Sequence, residues 1–378
     1  MKQPDYSIAV LRGDGVFAQL HGEWNELWEA CPDATEAQTF SFQQLYRKYV
    51  ARREQLLSVT ARDGEGKLAA LGVFAVRRDR MTLQRRFGFL GEHDVDYHGI
   101  LYRAGLPEAV GRDMLHAALK AAGSVPVLEV LNVPDHSWTK RVLEQLGMES
   151  AGFKGSPQTR LSDCYVIALP ATIEEYWATL DKGARDRLQN KSKLRKLLRE
   201  HRVEFRCTTE GENISNLLDE VEAVERARWG ATNKFGDEAS RNFLRAMIAE
   251  LVKQQRCRIF TLRVDGICRA YIVGFCMHGA FRIPYLAHDP SMLGNFSLSL
   301  ICNVMAIEQC ILEGLHQYDL TRGSEGYKAH LGGVLRQNFS TVVYRNSASE
   351  CLAGITKKFI APMLHHRVTR QLRHLVRG

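Results

Sequence analysis

The first half of the chain shows short runs in which apolar residues alternate or cluster, separated by longer stretches in which they recur at helical spacing. Short apolar runs predict strands, and a period near 3.6 residues predicts helices. In chain order the pattern predicts an extended start at residues 6–11, helices near Trp24 and at 41–53, strands at 56–61, 67–77 and 82–90, a polar loop at 91–99, a helix at 106–122, a strand at 125–133 and a helix at 137–146.

The second half repeats this order without obvious residue identity. Its predicted elements are a strand at 203–208, helices within 213–229 and 238–255, strands at 258–264, 269–277 and 281–288, a helix at 298–312, a strand at 316–320, a short helix near Tyr327 and a strand at 334–343. The repeat predicts a mixed-sheet α/β fold built from two tandem domains of one type. We place the junction in the Gly-, Ser- and Pro-containing segment 155–170, which divides the chain into residues 1–160, 161–345 and a tail at 346–378.

Composition narrows the class of protein. A chain of 378 residues with 45% hydrophobic and 25% charged residues exceeds what one core usually organises, so two domains are expected. It contains no long apolar run and no apolar stretch at its charged amino terminus, which predicts a cytoplasmic protein. The nine cysteines form no Cys-x-x-Cys pair and the thirteen histidines no HExxH motif, so neither a disulfide framework nor a metal is expected.

The net charge of +8 is concentrated in two segments. Residues 182–202 carry nine Lys or Arg against two Asp or Glu, and residues 351–378 carry six against none. Such clustering indicates a polyanionic surface nearby, either membrane phosphates or nucleic acid. A solvated helix face is the alternative interpretation of each segment.

A loop in the second half is the candidate phosphate-binding element. Residues 289–297 lie between a predicted strand and a predicted helix and contain Gly294. A glycine lets the backbone approach a ligand, and the free amides at a helix start attract phosphate. The strands on either side of this helix should be parallel neighbours, and a ligand can pair with their backbones where they separate. An ordinary turn with Ser297 as the helix N-cap is the alternative.

The chain resembles a known family over about residues 23–344. The matching residues are Tyr285 with Asp289-Pro290, Gly294, Gly314, Tyr318-Asp319-Leu320, the segments 322–328 and 225–229, and Asp94-Val95-Asp96-Tyr97. With these residues the second half resembles the GNAT acyltransferase domain of the CelD/BcsL type, which is distantly related to the FemABX peptidyl transferases and pairs two GNAT-like domains. The loop around Gly294 departs from the usual pattern because it has a single glycine.

The resemblance implies a donor site for acyl-CoA or an acyl-carrier protein in the second half. The candidate donor-binding residues are Tyr285, Leu286, Gly294, Asn295, Phe296, Ser297 and Lys328. The corresponding loop of the first half carries Glu92, Asp94 and Asp96, whose charges would repel a pyrophosphate. We therefore expect one donor site per chain and a degenerate first domain.

N-acyl transfer needs a neutral amine, donors for the oxyanion and an acid that protonates the leaving thiolate. Tyr327 is the candidate acid, Asp319 orients groups or accepts a proton, and His288 is a possible base. The alternatives are a packed tyrosine, a carboxylate that caps a turn, and a solvated histidine. Candidate substrate-binding residues are Asp94, Asp96, Tyr97, Trp229, Arg322 and Glu325.

The tail decides how we rank acceptors. Apolar residues alternate with basic ones after Lys357, a pattern typical of a helix that lies on an anionic membrane. This favours acyl transfer to a primary amine of a lipid, such as a sphingoid base, or of a cell-envelope or polysaccharide precursor, by an enzyme on the inner face of the membrane.

Two other functions stay open. A FemABX-like transferase that uses aminoacyl-tRNA ranks second, because the basic segment 182–202 lacks aromatic residues for base stacking. A non-catalytic GNAT-like component of a polysaccharide-secretion system ranks third, because the loop around Gly294 is poor in glycine.

Overall fold

The structure is a computed structural model that describes residues 5–79, 81–147, 152–154, 158–188, 191–208, 213–292 and 297–355. Three donor-site candidates, Gly294, Asn295 and Phe296, and the basic part of the tail after residue 355 lie outside these ranges. None of the helices described is long and apolar enough to cross a lipid bilayer.

The described residues of the first half form eleven α-helices and strands, besides a short 3-10 helix at Glu36–Gln38. In chain order they are β1 (Ser7–Arg12), α1 (Gly15–Ala30), α2 (Phe40–Tyr49), β2 (Gln55–Arg62), β3 (Leu68–Arg78), β4 (Arg85–Phe89), β5 (Leu101–Tyr102), α3 (Glu108–Ala122), β6 (Val127–Pro134), α4 (Trp138–Leu146) and β7 (Gln158–Ala168). Each predicted strand and helix of this half is present, and the sequence pattern missed only the two-residue β5 and the long β7.

The second half begins with helices that the pattern did not separate. They are α5 (Ile173–Thr179), α6 (Lys182–Leu188) and α7 (Lys191–Glu200). The repeated elements follow: β8 (Val203–Cys207), α8 (Ile214–Trp229), α9 (Glu238–Lys253), β9 (Cys257–Val264), β10 (Ile267–Met277), β11 (Ala280–His288), α10 (Leu298–Leu312), β12 (Gln317–Arg322), α11 (Tyr327–His330) and β13 (Val334–Tyr344), with α12 (Ser347–Ile355) after them.

The strands form one mixed sheet of thirteen strands, which confirms the predicted fold class. The order across it is β1, β2, β3, β4, β6, β13, β7, β12, β11, β10, β9 and β8, with β5 paired to β3. Each half contributes an antiparallel meander and one parallel pair, β4 with β6 and β11 with β12. The two halves therefore run inward from opposite edges and meet at the centre.

The last strand of each half joins the sheet of the other half. β7 follows β6 in the chain but pairs with β12, and β13 follows β12 but pairs with β6. β7 and β13 also pair with each other over nine positions, from Val334 opposite Val166 to Val342 opposite Gln158. The proposed division at residue 160 lies inside β7, so the junction segment is a central strand of the sheet, and the domain limits themselves stay a prediction.

Two apolar cores lie on the sheet. One core joins the halves, because Phe42 and Tyr46 of α2 pack edge-on against Phe243 of α9. The other core lies between α10 and the second-half strands. β11 contributes to both cores: Phe281 and Ile283 to the second, and Tyr285 to the first. The site described below lies where β11 changes from one side to the other.

Candidate functional site

β11 and β12 separate after three residue pairs. Their parallel pairing runs from Ala280 opposite Gln317 to Arg282 opposite Asp319, while β11 continues to His288. A bulge in β11 accompanies the separation, since Val273 of β10 faces Tyr285 but Phe275 faces Arg282. A bulge bends a strand and redirects its side chains. The gap it opens exposes backbone groups that the sheet does not use.

A cleft of about 240 Å³ occupies this gap. It is lined by Glu225, Trp229, Thr232, Lys234, Tyr271, Ile283, Pro284, Tyr285, Leu286, Leu320, Thr321, Arg322, Glu325, Tyr327 and Lys328. Seven of the predicted site residues are among them: Tyr285, Leu286, Trp229, Arg322, Glu325, Tyr327 and Lys328. The structure therefore brings seven of the sixteen predicted site residues to one place.

The end of α8 forms one wall of the cleft. The helix stops at Gly230, whose φ of 57° is a conformation that glycine adopts without strain. The chain then turns back, so that the Lys234 Nζ atom lies 2.7 Å from the Pro284 carbonyl oxygen and 4.5 Å from the Tyr285 ring centroid. The Lys234 side chain is exposed, yet loss of water around its ammonium lowers its pKa.

Tyr327 lies at the start of α11 and is half-buried. Burial raises the pKa of its hydroxyl to about 12, with a further contribution from the Glu325 carboxylate. The hydroxyl therefore keeps its proton at neutral pH, as a proton donor requires. Its role as general acid stays a prediction.

Asp319 is fully paired by protein groups and does not line the cleft. Its carboxylate accepts hydrogen bonds from the Tyr97 hydroxyl at 2.9 Å and from the Thr321 amide at 2.8 Å, and the Arg282 guanidinium lies 3.9 Å away. Burial raises its pKa. Tyr97 belongs to the first half, so this carboxylate joins the two halves beneath the cleft.

Arg322 makes a second contact between the halves. Its Nε atom donates to the Asp96 carboxylate at 2.5 Å and its Nη1 atom to the Asn132 side-chain oxygen at 3.0 Å. Asn338 of β13 donates to the Asp96 carbonyl oxygen at 2.6 Å. Asp96 and Tyr97 therefore support the cleft from the first half, while Asp94 bonds to the Tyr46 hydroxyl at 2.6 Å.

Lys328 is buried and holds the end of β12. Its ammonium donates to the carbonyl oxygens of Thr321 at 3.3 Å and Arg322 at 2.6 Å, and pairs with Glu325 at 3.1 Å. Thr321 has a φ of 52°, a strained conformation for a β-branched residue. The Lys328 ammonium thus has protein partners on the turn, and its predicted part in donor binding stays a prediction.

His288 lies beside the start of α10 and outside the cleft lining. Its Nδ1 atom hydrogen-bonds with the Ser299 hydroxyl, and burial lowers its pKa. Asp289, next to it, is paired with Arg269 and accepts the Ser291 amide at 2.8 Å. His288 is therefore not among the residues that line the cleft, and its predicted role as a base stays a prediction.

Ser297 is the residue before α10, but its side chain makes no capping hydrogen bond. The first amides of α10 therefore have no side-chain acceptor from the position that normally supplies one. The predicted role of Ser297 and of this helix start in binding the donor phosphates stays a prediction.

Eight of the fifteen cleft residues were not predicted as site residues, and three of these eight carry an ionisable side chain. Glu225, Tyr271 and Lys234 line the cleft together with the predicted set. Glu225 is in the segment 225–229 that resembles the family, and this was the signal that could have identified it. A glutamate on an amphipathic helix is ordinarily a surface residue, which is why the pattern assigned it no role.

The corresponding gap in the first half is filled by its own side chain. β4 and β6 pair in parallel at Arg86 opposite Val127 and Phe87 opposite Leu128. Beyond these pairs the fully buried Glu92 accepts the Leu131 amide at 3.0 Å and the Arg77 guanidinium at 2.9 Å.

This arrangement corrects the reason for expecting a single donor site. The charge of Glu92 is not presented to a ligand, because Arg77 already neutralises it. Burial raises the pKa of Glu92 to about 7. Burial would also raise the pKa of Glu129, but His93, Arg77 and Arg86 together hold it at about 2.

Among the residues that the structure describes, one group has metal-ligand geometry. Glu92, His93 and Glu129 place ligand atoms within 4.8 Å of one another. Two arginines, Arg77 and Arg86, already bind these carboxylates. A cation would therefore have to displace paired guanidinium groups.

Comparison with known proteins agrees with this description. Residues 184–329 match the family described as an acetyltransferase (GNAT) domain, a region that contains the whole cleft. This region is less than half of the chain. No curated protein matches the chain in a sequence search. The second half is thus similar to a GNAT domain over residues 184–329, within a mixed α/β sheet.

Solved structures with a similar fold cover nearly all of the chain. FemX matches with a TM-score of 0.57 and 9% identity over 88% of this chain and 96% of its own. The C-terminal domain of a putative lysylphosphatidylglycerol synthetase from Agrobacterium fabrum matches with a TM-score of 0.54 and 10% identity over 90% and 95%. L-PGS from Bacillus licheniformis matches with a TM-score of 0.54 and 12% identity over 90% and 96%. At these identities the likeness concerns the fold alone.

Proposed function

We propose that the chain is an N-acyltransferase that moves an acyl group from acyl-CoA, or from an acyl-carrier protein, to a primary amine. The observation that supports this most is the cleft between β11 and β12, which lies inside the region matching a GNAT domain. A thioester arm in this gap could pair with backbone groups that the parallel strands leave unused. No metal takes part in this proposal.

The side chains around the cleft suit the chemistry. The Tyr327 hydroxyl keeps its proton and can donate it to the leaving thiolate. The open start of α10 can receive the phosphates of the donor through its amides. Asp319 and Lys328 act on this arrangement indirectly, because they fix the turn that carries Arg322 and Tyr327.

The acceptor we propose is an amine on a lipid or on a cell-envelope precursor. One of the structural neighbours is named for making lysylphosphatidylglycerol, a lipid, which supports an acceptor at a membrane. The basic segments 182–202 and 351–378 are suited to anionic headgroups. On this proposal the protein works at the cytoplasmic face of a membrane without spanning it.

Thiol release measures the reaction directly. The full chain is mixed with acetyl-CoA or a long-chain acyl-CoA and dodecylamine, and free CoA is titrated with a thiol reagent. Leu286→Trp should fill the cleft and abolish release, while the conservative Leu286→Met should retain most of it. Amine-independent hydrolysis only, or equal rates in both variants, would contradict the proposal.

A transferase that takes its acyl group from aminoacyl-tRNA is the second candidate. The basic helices α6 and α7 and the shared fold with FemX favour it. Its signature would be tRNA binding that weakens steeply with salt, since each released counterion adds to the slope. A filter-binding assay of the full chain, run with total tRNA and with acyl-CoA, separates the two donors.

A further inference from the structure

Two buried glutamates on α8 have opposite surroundings. Glu222 and Glu225 are 3% and 2% exposed. Glu222 binds Arg241 and Arg245, each with a nitrogen 2.6 Å from a carboxylate oxygen. Among the described residues, no side-chain nitrogen of Lys, Arg or His lies within 4.0 Å of the Glu225 carboxylate. Two buried carboxylates thus lie three positions apart on one helix, and of the two only Glu222 has an ion-pair partner within 4.0 Å; the charge of Glu225 acts on the Lys234 ammonium over a longer distance.

Glu225 is held in place by neutral donors. Its Oε2 atom accepts the Tyr271 hydroxyl at 2.6 Å and its Oε1 atom the Lys234 amide at 3.3 Å. Tyr271 is itself buried, and both side chains line the cleft. The carboxylate is therefore rigidly positioned in the wall of a cavity, at the side where Tyr285 lies.

An ionised carboxylate without a counter-ion is costly to bury. The nearest candidate on the chain, the Lys234 ammonium, is committed to the Pro284 carbonyl oxygen and the Tyr285 ring. The cleft in front of Glu225 is open and contains the aromatic faces of Tyr271 and Tyr285. A carboxylate next to aromatic rings is the usual combination for binding an organic ammonium group.

We propose that Glu225 is the binding site for the ammonium group of the substrate and the first acceptor of its proton. This inference rests on the proposed N-acyltransferase function and names the group that recognises the amine. The Glu225 carboxylate binds the protonated amine, and Tyr271 fixes the carboxylate so that the nitrogen is directed toward the gap between β11 and β12.

The proton and bond changes follow from this placement. The ammonium transfers one proton to Glu225, and the free nitrogen pair forms the C–N bond with the thioester carbon. The C–S bond then breaks, and the sulfur takes the proton of the Tyr327 hydroxyl. Tyr327 regains a proton from the nitrogen as it becomes an amide, and Glu225 releases its proton to water. One amide, one thiol and one proton result.

Two different substrates could supply the ammonium group that binds Glu225. An ammonium group is present on an acceptor amine and also on the α-carbon of an aminoacyl donor. If the ligand of Glu225 is the acceptor, an amine and acetyl-CoA bind together. If it is the donor, an aminoacyl-nucleoside such as puromycin competes with the amine.

The test compares hexylamine with hexanol on the full-length protein by calorimetry. The wild type should bind hexylamine at least tenfold more tightly than hexanol, and Glu225→Gln should lose about tenfold for the amine only. Glutamine keeps the shape and an acceptor for Tyr271 but not the charge. Glu144→Gln, a change at an exposed glutamate outside the cleft, is the matched control and should bind hexylamine nearly as the wild type does.

Thermal unfolding of the same variants separates binding from a structural role. Removing a buried charge that has no ion-pair partner within 4.0 Å should leave the melting temperature of Glu225→Gln unchanged or higher, whereas Glu222→Gln breaks the ion pairs with Arg241 and Arg245 and should lower it. A lower melting temperature for Glu225→Gln together with unchanged hexylamine affinity would show that the carboxylate only supports the fold.

The outcomes also distinguish this inference from the proposed function. Equal affinity of the wild type for hexylamine and hexanol overturns the ammonium site, even if acyl-CoA binds and turns over. Charge-dependent hexylamine binding without acyl-CoA binding keeps the ammonium site and refutes the acyl-CoA donor.

Discussion

The gap between the two parallel strands is closed in the first half of the sheet and open in the second. Where β4 and β6 separate, the first half inserts Glu92 and closes the gap with an ion pair to Arg77. Where β11 and β12 separate, the second half leaves a cleft with Tyr285 and Tyr327 in its walls. A duplicated fold has thus kept the architecture twice and left one gap available for a ligand.

The comparison explains why both halves are needed. In the first half, the buried Glu92 side chain occupies the gap that is open to a ligand in the second half. The loop at 91–97 contacts the second half through Asp96 and Tyr97. The exchange of β7 and β13 joins the halves along the sheet. We infer that the first half acts as a support for the cleft of the second.

The largest effect should follow from removing the Tyr327 hydroxyl. If the open gap is the reactive one, Tyr327→Phe should lower kcat by about 10²–10⁴-fold, the usual contribution of a general acid, with little change in KM. Tyr102→Phe removes a first-half hydroxyl bonded to Asp33 and should leave kcat within about twofold. Comparable losses in both variants would remove the functional distinction between the halves. Thiol release measures both constants.

Opening the closed gap should be costly. Glu92→Ala leaves Arg77 with only Glu129 and the Leu131 amide without an acceptor, so the free energy of unfolding should fall by about 3 kcal/mol. Glu144→Ala removes a surface partner of Lys140 and should cost about 0.5 kcal/mol or less. Urea unfolding gives both values. A loss for Glu92→Ala as small as that of Glu144→Ala would show that this side chain does not close the gap.

The contact between the halves should make stability depend on pH through Glu36. This buried glutamate lies 3.9 Å from Arg282, and burial raises its pKa to about 7. The folded chain therefore keeps a proton that the unfolded chain loses near pH 4.3. The stability from this group is complete below about pH 4 and is lost as pH rises through 7.

Glu36→Gln removes this titration. Relative to the wild type, the variant should gain up to about 3 kcal/mol of unfolding free energy between pH 4.5 and pH 8. Exposed Glu26→Gln controls for the change of side chain. Urea unfolding at several pH values measures the difference, and a pH-independent difference for Glu36→Gln would show that Glu36 is ionised throughout.

The smallest effect concerns the space behind Glu92. A β-carbon at Gly88 would lie 2.1 Å from the Glu92 Oε1 atom and 2.2 Å from the Glu129 carbonyl oxygen. Gly88→Ala should therefore cost about 1–3 kcal/mol. At Gly64 a β-carbon meets nothing within 4 Å, so Gly64→Ala should stay within about 0.5 kcal/mol. Thermal unfolding of both variants measures the difference. Equal melting temperatures would show that the atoms around Gly88 leave room for a β-carbon.

The order of elements could be predicted from the sequence because periodicity reports burial on one face of each element. The exchange of β7 and β13 could not, since strands that are consecutive in the chain usually lie side by side. Segment 155–170 has the composition of a linker, yet β7 occupies most of it and pairs on both edges. Pairing partners depend on the whole fold and leave no local signal.

The candidate site likewise contains residues that could be predicted from the sequence and residues that could not. Tyr285, Trp229 and Tyr327 were predicted from their place in the resemblance, and they line the cleft. Asp319 was predicted as a reactive carboxylate, but the Tyr97 hydroxyl from the other half occupies it. Contacts between residues 222 positions apart could not be read from the chain. The sequence analysis missed Glu225, because only the three-dimensional structure shows which buried carboxylates have an ion-pair partner.

The most direct test of the central claim is the stoichiometry of donor binding. Titration of the full-length protein with desulfo-CoA in a calorimeter should give one site per chain, and Leu286→Trp should abolish binding while Glu144→Ala leaves it intact. Two sites per chain, or binding that persists unchanged in Leu286→Trp, would contradict the account in which the second half has the open gap and the first half the closed one.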